Sequence, residues 1–219
     1  MLTFHDIQTN PDIRTFIRAA DDSLAALGYT EHSFAHVGTV ADRVAYILGE
    51  LGKSERTVEL GRIAAFLHDI GNLVNRAGHS QSGAVMAFAI LTRLGMDAVE
   101  IAEITTAIGN HDEGTGVPVS ELAAALILSD KSDVRRSRVR KADDLEADIH
   151  DRVNYSVLES ALTVDKSLMH LTLSLCVDES IGTVSDYFEI FLERMLLCRR
   201  AAERLGLKFR LLINKRQMM

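Results

Sequence analysis

Tryptophan is absent from this chain of 219 residues, and proline and cysteine occur only twice each. Each scarcity excludes something. Proline breaks helix interiors, so a chain whose only prolines are Pro11 and Pro118 is free to be helical over most of its length. Two cysteines are too few for a disulfide framework or a cysteine zinc site. Cys176 and Cys198 lie far apart in apolar contexts and read as core thiols of a cytosolic protein, although sequence alone leaves a disulfide between them open. No apolar run reaches the ~20 residues of a bilayer-spanning helix. The first residues, MLTFHDIQTNPDIRTF, lack the basic-then-apolar order of a secretory signal. A cytoplasmic protein with no membrane partner is expected. The formal net charge of -7 lacks the basic footprint of a general nucleic-acid binder.

What is present is helical punctuation. Asn10, Pro11 and Gly28 frame a helix over 11–28, with Ile13, Phe16, Ile17, Ala20, Leu24 and Leu27 at helical spacing. A second helix is read over 33–51, and Ser54 caps a third from Glu55 to Asp69. His79 opens a helix ending at Leu94, Asp97 caps one to about Gly109, and Ser120 starts one to about Ser132. Residues 136–149 form a highly charged connector, read as a helix, a loop or a hinge. Beyond it, alternation predicts strands over 153–164 and 167–177, a helix over 183–205 and a last strand over 207–214. The division is a helical unit over 1–135 and a small α+β unit over 150–219, mainly α overall.

Histidine and aspartate punctuate the helical part. His68-Asp69 stands in AAFLHDIGN, with His32 and His36 upstream and His79, His111 and Asp130 downstream. Imidazole nitrogen and carboxylate oxygen suit a divalent transition metal: Fe, Mn, Zn or Ni before Ca, because imidazoles outnumber carboxylates. A single histidine on an amphipathic helix is usually structural. It is the ordered set at helix ends and on helix faces that points to a metal site. His5, His150 and His170 fall outside it and read as structural. His32 and His36 share a face if their helix starts early enough to hold both. Gly71, after His68-Asp69, is read as letting the chain leave at an angle other residues resist.

The segments EHSFAHVGTVADRVAYIL, AAFLHDIGN, HSQSGAVMAFAILTRLG, AIGNHDEGTG and LILSDKSD together resemble the HD-domain superfamily of metal-dependent phosphohydrolases, over about residues 30–135. The resemblance implies an HD-type helical bundle. His36, His68, Asp69 and Asp130 are similar to the family's core set, and His79 and His111 to the extra pair of two-metal members. His32 stands where some binuclear members carry a further acidic ligand. It reads as a ligand or as a group behind one. The loop HDEGTGVP is similar to the signature loop of the HD-GYP subgroup, with Val117 in place of its tyrosine and Asn72 in place of a lysine, departures that argue against cyclic-dinucleotide hydrolysis.

Hydrolysis of a phosphoester or phosphoanhydride, with a nucleotide as the expected small phosphorylated substrate, follows from that resemblance. Two ions are expected, with Asp69 bridging them and orienting the attacking water. Lys131 is placed on a substrate phosphate, and Asp133 behind a ligand or in proton transfer. Arg135 and Arg136 open a basic run that suits phosphate, or that is a solvated segment. Di-iron oxygenases of the same fold share these ligands, and a regulatory module with a vestigial site is a third reading. The apolar breadth of the 183–205 helix predicts that part of its face packs on the helical unit or on a second copy, with a homodimer expected.

Overall fold

Capping side chains set the helix boundaries in the computed structural model, which describes residues 1–140 and 148–219. Helix α1 (Phe4–Thr9), which the sequence pattern does not announce, closes through a capping box between Thr3 and Asp6. The Asn10 side chain accepts from the backbone N–H of Asp12 and Ile13, and Pro11 takes the first position of α2 (Pro11–Ala26). Gly28, at φ 84°, carries the chain away just beyond that helix. Ser33 caps α3 (Phe34–Glu50), so His32 lies outside the helix and shares no helical face with His36. Helix α4 (Glu55–Leu67) starts at Ser54 and has His68 as its C-cap. After a single 3-10 turn, Ile70–Leu73, come α5 (His79–Arg93), α6 (Ala98–Gly109) and α7 (Glu121–Lys131).

Every residue of α7 from Leu122 to Lys131 is buried. A helix apolar on all sides belongs at the centre of a bundle, and α3, α4, α6 and the later helix Val184–Arg204 all pack against it.

The C-terminal part departs from the expectation at its start. Residues Ile149–Ser156 form a helix, α8, capped by Asp148, so the first strand begins at Val157 and not at 153. Strands β1 (Val157–Asp165), β2 (His170–Val177), β3 (Lys208–Ile213) and β4 (Arg216–Gln217) lie in that order in one sheet. β1–β2 and β3–β4 are antiparallel. β2–β3 is parallel, which needs a crossover, supplied by α9 (Val184–Arg204). The β1–β2 connection holds Met169 at φ 53°, and its closing pair is Asp165 with His170. Part of the charged connector, including Lys141, Asp143 and Asp144, lies outside the described residues; Arg136–Arg138 form one 3-10 turn.

Helix α9 buries Tyr187, Phe191, Met195, Cys198, Ala201 and Ala202 between α7 and β3. Its apolar face is thus largely covered within the chain, with Leu192 left 47% exposed. One hydrophobic core runs from Phe4 and Ile13 through Ile127 to Leu173, Phe191 and Leu211, uniting the helical part with the sheet. Cys198 is buried, but Cys176 faces solvent, and both are free thiols. Only Cys198 is a core thiol. Among the described residues no helix is long and apolar enough to cross a membrane.

Gly71 has a different use from the one read in sequence, because it is not among the residues of positive φ. An added Cβ there would stand 2.0 Å from the carbonyl oxygen of His79 and 2.4 Å from the amide nitrogen of Gly83. The requirement is close approach of the 3-10 turn to α5, which brings His68-Asp69 beside His79. Both obstacles are backbone, so Gly71→Ala forces an element apart; a loss of roughly 2–3 kcal/mol is expected from overpacking of this kind. Denaturant unfolding of the full chain measures it, and an unchanged midpoint would rule out the close-approach role.

Candidate metal centre

Helix ends deliver the ligands. His36 comes from the first turn of α3, His68 and Asp69 from the end of α4, and His79 from the first position of α5. His111 follows α6, and Asp130 lies in the last turn of α7. All six are buried, with Asp130 the most exposed at 8%.

The outer nitrogen of each imidazole is tied down. Nδ1 stands 2.7 Å from the Ala65 carbonyl oxygen in His68, 3.0 Å from that of Arg76 in His79, and 2.6 Å from that of Ile108 in His111. A carbonyl oxygen only accepts, so these nitrogens carry the proton. In His36 the partner is the buried Asp133 carboxylate, 2.8 Å away. Each ring therefore turns Nε2 toward a common centre, with Nδ1 held by an acceptor as in metal-bound histidines.

Asp69 faces both ways. Its Oδ2 lies 3.1 Å from His68 Nε2 and 3.5 Å from His36 Nε2. Its Oδ1 lies 3.5 Å from His79 Nε2 and 3.9 Å from His111 Nε2. Asp130 Oδ1 completes the first group, 3.3 Å from His36 Nε2 and 3.7 Å from His68 Nε2. The Nε2 atoms of His79 and His111 are 3.2 Å apart. Two ligand atoms each about 2.1 Å from one ion stand roughly 3 Å apart, so these spacings fit metal seats. The Nε2 atoms of His36 and His68 are buried and make no aligned hydrogen bond, though carboxylate oxygens lie close. Converging donor atoms that hydrogen bonding does not satisfy are what a cation explains, and His36–His68–Asp130 or His68–Asp69–His111 could hold one; the two groups share the single free nitrogen of His68, and His79 belongs to neither.

Supporting contacts fix this arrangement. Asn72 donates its amide to Asp69 Oδ1 at 3.0 Å and to the Asp69 carbonyl at 2.9 Å. Asp130 Oδ2 receives Lys131 Nζ at 2.8 Å, which leaves Oδ1 for the histidines. Arg135 Nε binds Asp133 Oδ1 at 3.0 Å, opposite the oxygen that holds His36. The His32 ring lies edge-on to His36 with centroids 5.4 Å apart and lines the cleft, outside both ligand groups.

Above the ligands opens a cleft of about 180 Å3, lined by Asp69, His79 and Asp130, by four cationic side chains, Arg76, Lys131, Arg138 and Arg194, and by three further carboxylates, Glu113, Asp148 and Asp151. Lys131 is where the sequence places it, in the cleft wall. Arg135 and Arg136 are not in the cleft; with Arg43 they line a separate surface depression. Asp133 sits behind His36, away from the opening. His150, read as structural, lies at the cleft, while His170 is half-buried in β2. Sequence reasoning missed Arg76, Glu113 and Arg194, whereas Arg138 belongs to the basic run read as suiting phosphate and is the member of it that lines the cleft. Glu113 was visible inside NHDEGTG, but nothing local in a 21-residue helix marks Arg194.

Burial works against every charge here, and the neighbours decide the outcome. It opposes protonation of His68, but Asp69 and Asp130 outweigh it and raise the ring to about 10. For His36, burial and Arg138 are outweighed by Asp130, Asp133 and Asp69, and the ring is likewise raised. Burial, with His68 and Lys131 nearby, drops His111 to about 3. Burial also opposes ionisation of Asp69, yet His68 and His36 hold this carboxylate well below the usual range.

In metal-free protein His68 is therefore protonated near neutral pH, and the carboxylates around His36 bias that ring in the same direction. The raised pKa of His68 contributes stability that is complete below about pH 6.5, its unfolded value, and is lost as pH rises through about 10. A metal must displace these protons. Loading metal-free protein with Mn or Zn should release protons, and affinity should fall between about pH 8 and about pH 6. Calorimetry in two buffers of different ionisation enthalpy reads the release directly. A binding heat and affinity independent of buffer and pH would mean that the two rings are already neutral.

The comparisons with known proteins meet this geometry. The HD domain family model matches residues 33–148, which hold all six ligands. An uncharacterized protein of Methanocaldococcus jannaschii, MJ1020, is 24% identical over 162 residues, 64% of this chain. The matched part spans 62% of that relative's length. The crystal structure of a predicted HD superfamily hydrolase from an uncultured Thermotogales bacterium aligns at 21% identity and a TM-score of 0.44, over 62% of this chain and 75% of that one. The family match covers over half of the chain and every residue that turns a donor atom inward, and on that ground the protein belongs to the HD-domain family.

Proposed function

We propose that the protein hydrolyses a phosphoester or phosphoanhydride bond of a small phosphorylated substrate, a nucleotide in the first instance, with two divalent transition metals held side by side. The observation that carries this reading is the double-sided Asp69. One oxygen faces His36 and His68, and the other faces His79 and His111. A single carboxylate between two imidazole pairs suits a bridging ligand. The chemistry supplied by such ions is polarisation of phosphoryl oxygens and acidification of a bound water. Imidazole-rich seats favour Fe, Mn, Zn or Ni.

The chain's own residues do the rest. Asn72 fixes the rotamer of Asp69, and Asp133 holds the His36 ring. Lys131 orients Asp130 and presents a buried ammonium to the cleft, while Arg76 and Arg138 add guanidinium donors suited to phosphate oxygens. With divalent ions offsetting the five carboxylates of the lining, Asp69, Glu113, Asp130, Asp148 and Asp151, the four cationic side chains supply donors that a phosphate needs and an uncharged oxygenase substrate does not.

Three measurements test the reading. Protein loaded with Mn alone should release phosphate from nucleotides or phosphomonoesters under strict anaerobiosis; turnover that needs dioxygen, without phosphoester cleavage, would transfer the protein to the di-iron oxygenases. Asp69→Ala should reduce turnover below detection with the fold retained by circular dichroism, and Asn72→Ala should cost roughly 10–100-fold, the usual effect of removing a group that orients a ligand. Elemental analysis should find two ions per chain and one fewer in His79→Ala. An unchanged count in that variant would leave the second seat without support.

A further inference from the structure

Glu113 stands outside the histidine set, yet two cations bind it. Its Oε2 lies 2.5 Å from Lys131 Nζ. Its Oε1 accepts from Arg194 Nη2 at 3.0 Å and Nε at 3.3 Å. The Arg194 guanidinium is braced from below by the Phe191 ring, 4.1 Å from its centroid. Glu113, Lys131, Phe191 and Arg194 all line the same cleft as Asp69, His79 and Asp130. The two cations rise from α7, the buried central helix, and from α9, which packs against it. Glu113 comes from the loop between α6 and α7 and is the most exposed of the three side chains, at 26% against 5% for Lys131 and 18% for Arg194.

A surface ion pair would need no explanation. This one points a fixed ammonium and a fixed guanidinium into a metal cleft, and closes them with a single carboxylate on a loop. Arg194 also lies outside the 33–148 family match, so this chain's C-terminal helix supplies it. A carboxylate offers one negative charge and two acceptor oxygens, whereas a terminal phosphate offers nearly two charges and three oxygens. A terminal phosphate replacing Glu113 therefore gains charge and acceptors. A phosphodiester, with one charge, gains neither.

We infer that Lys131 and Arg194 form a phosphate seat beside the histidine cluster, that Glu113 is its resident stand-in, and that the substrate carries a dianionic terminal phosphate. The inference rests on the phosphohydrolase reading for its substrate, but the seat is tested by binding alone. Seating of the phosphate moves Glu113 aside and makes Arg194 a direct substrate contact.

The probe is inorganic phosphate, titrated calorimetrically into the full-length, metal-loaded protein. Arg194→Gln should weaken phosphate by about tenfold, the loss of one charge-assisted hydrogen-bonded contact, and Arg194→Lys should recover part of it. Glu113→Gln should tighten phosphate several-fold because the competitor is gone. In kinetics, Arg194→Gln should raise KM for p-nitrophenyl phosphate more than it lowers kcat and leave bis-p-nitrophenyl phosphate little changed. Phosphate affinity within about threefold of wild type in both variants would make the network a strut between α9 and the loop and overturn the seat. Should Arg194→Gln fail to fold, Glu113→Gln decides alone: tighter phosphate supports the seat, and unchanged or weaker phosphate overturns it. Arg194-dependent phosphate binding without hydrolysis of either ester keeps the seat and removes the hydrolase reading. Hydrolysis with affinities insensitive to both variants removes the seat only.

Discussion

Crowding of imidazole and carboxylate into one dry place is the constraint on which the rest of this structure depends. His36, His68, Asp69, His79, His111 and Asp130 are all buried, and groups of this polarity do not stay buried without compensation. The compensation is built in two layers. Outward, each Nδ1 is tied to a carbonyl or to Asp133, so no ring can rotate to satisfy itself elsewhere. Inward, the remaining donor atoms face one another. The bundle pays for this with its helix ends, because a helix end is where a side chain can be aimed while the backbone still has free carbonyls to hold it.

That geometry explains why some of the site was legible in sequence and some was not. Ligands at helix ends carry local signals: His68 closes an apolar helix, His79 opens one, and Asp130 ends one. Spacing and residue type were enough to gather all six, and the HD motifs ordered them. The supporting contacts carry less. Asp133 was read as standing behind a ligand or moving a proton, but its partner His36 lies 97 residues away, and Arg194 reaches Glu113 across 81; no periodicity records a partner at that distance. Arg135 and Arg136 show the opposite failure. Proximity in sequence to Asp130 placed them in the cleft, whereas the turn after α7 carries them to another face.

The fold was read with similar selectivity. Capped helices were found to within a few residues because Asn10, Ser54, Asp97 and Ser120 each bond the amides they were expected to bond. Helix α8 was misread as the start of a strand. Its apolar residues are few, and the alternation of β1 runs backwards into it without a break in composition. The use of Gly71 was misassigned for a related reason: a glycine needed for contact and a glycine needed for a left-handed turn look alike in sequence, and only the neighbouring backbone of α5 distinguishes them.

The parallel pairing of β2 with β3 has a consequence for the order in which the molecule is completed. The six histidine and aspartate residues of the candidate centre lie before Lys131, whereas the seat of α9 between α7 and the sheet is complete only once β3 has joined β2. Synthesis runs from the N-terminus, and pairing across a crossover is slow compared with helix formation. The nascent chain thus holds a full ligand set while one side of the cleft is still missing. The arrival of α9 then brings Phe191 and Arg194 to the cleft, so its last wall comes from the part of the chain that is made last.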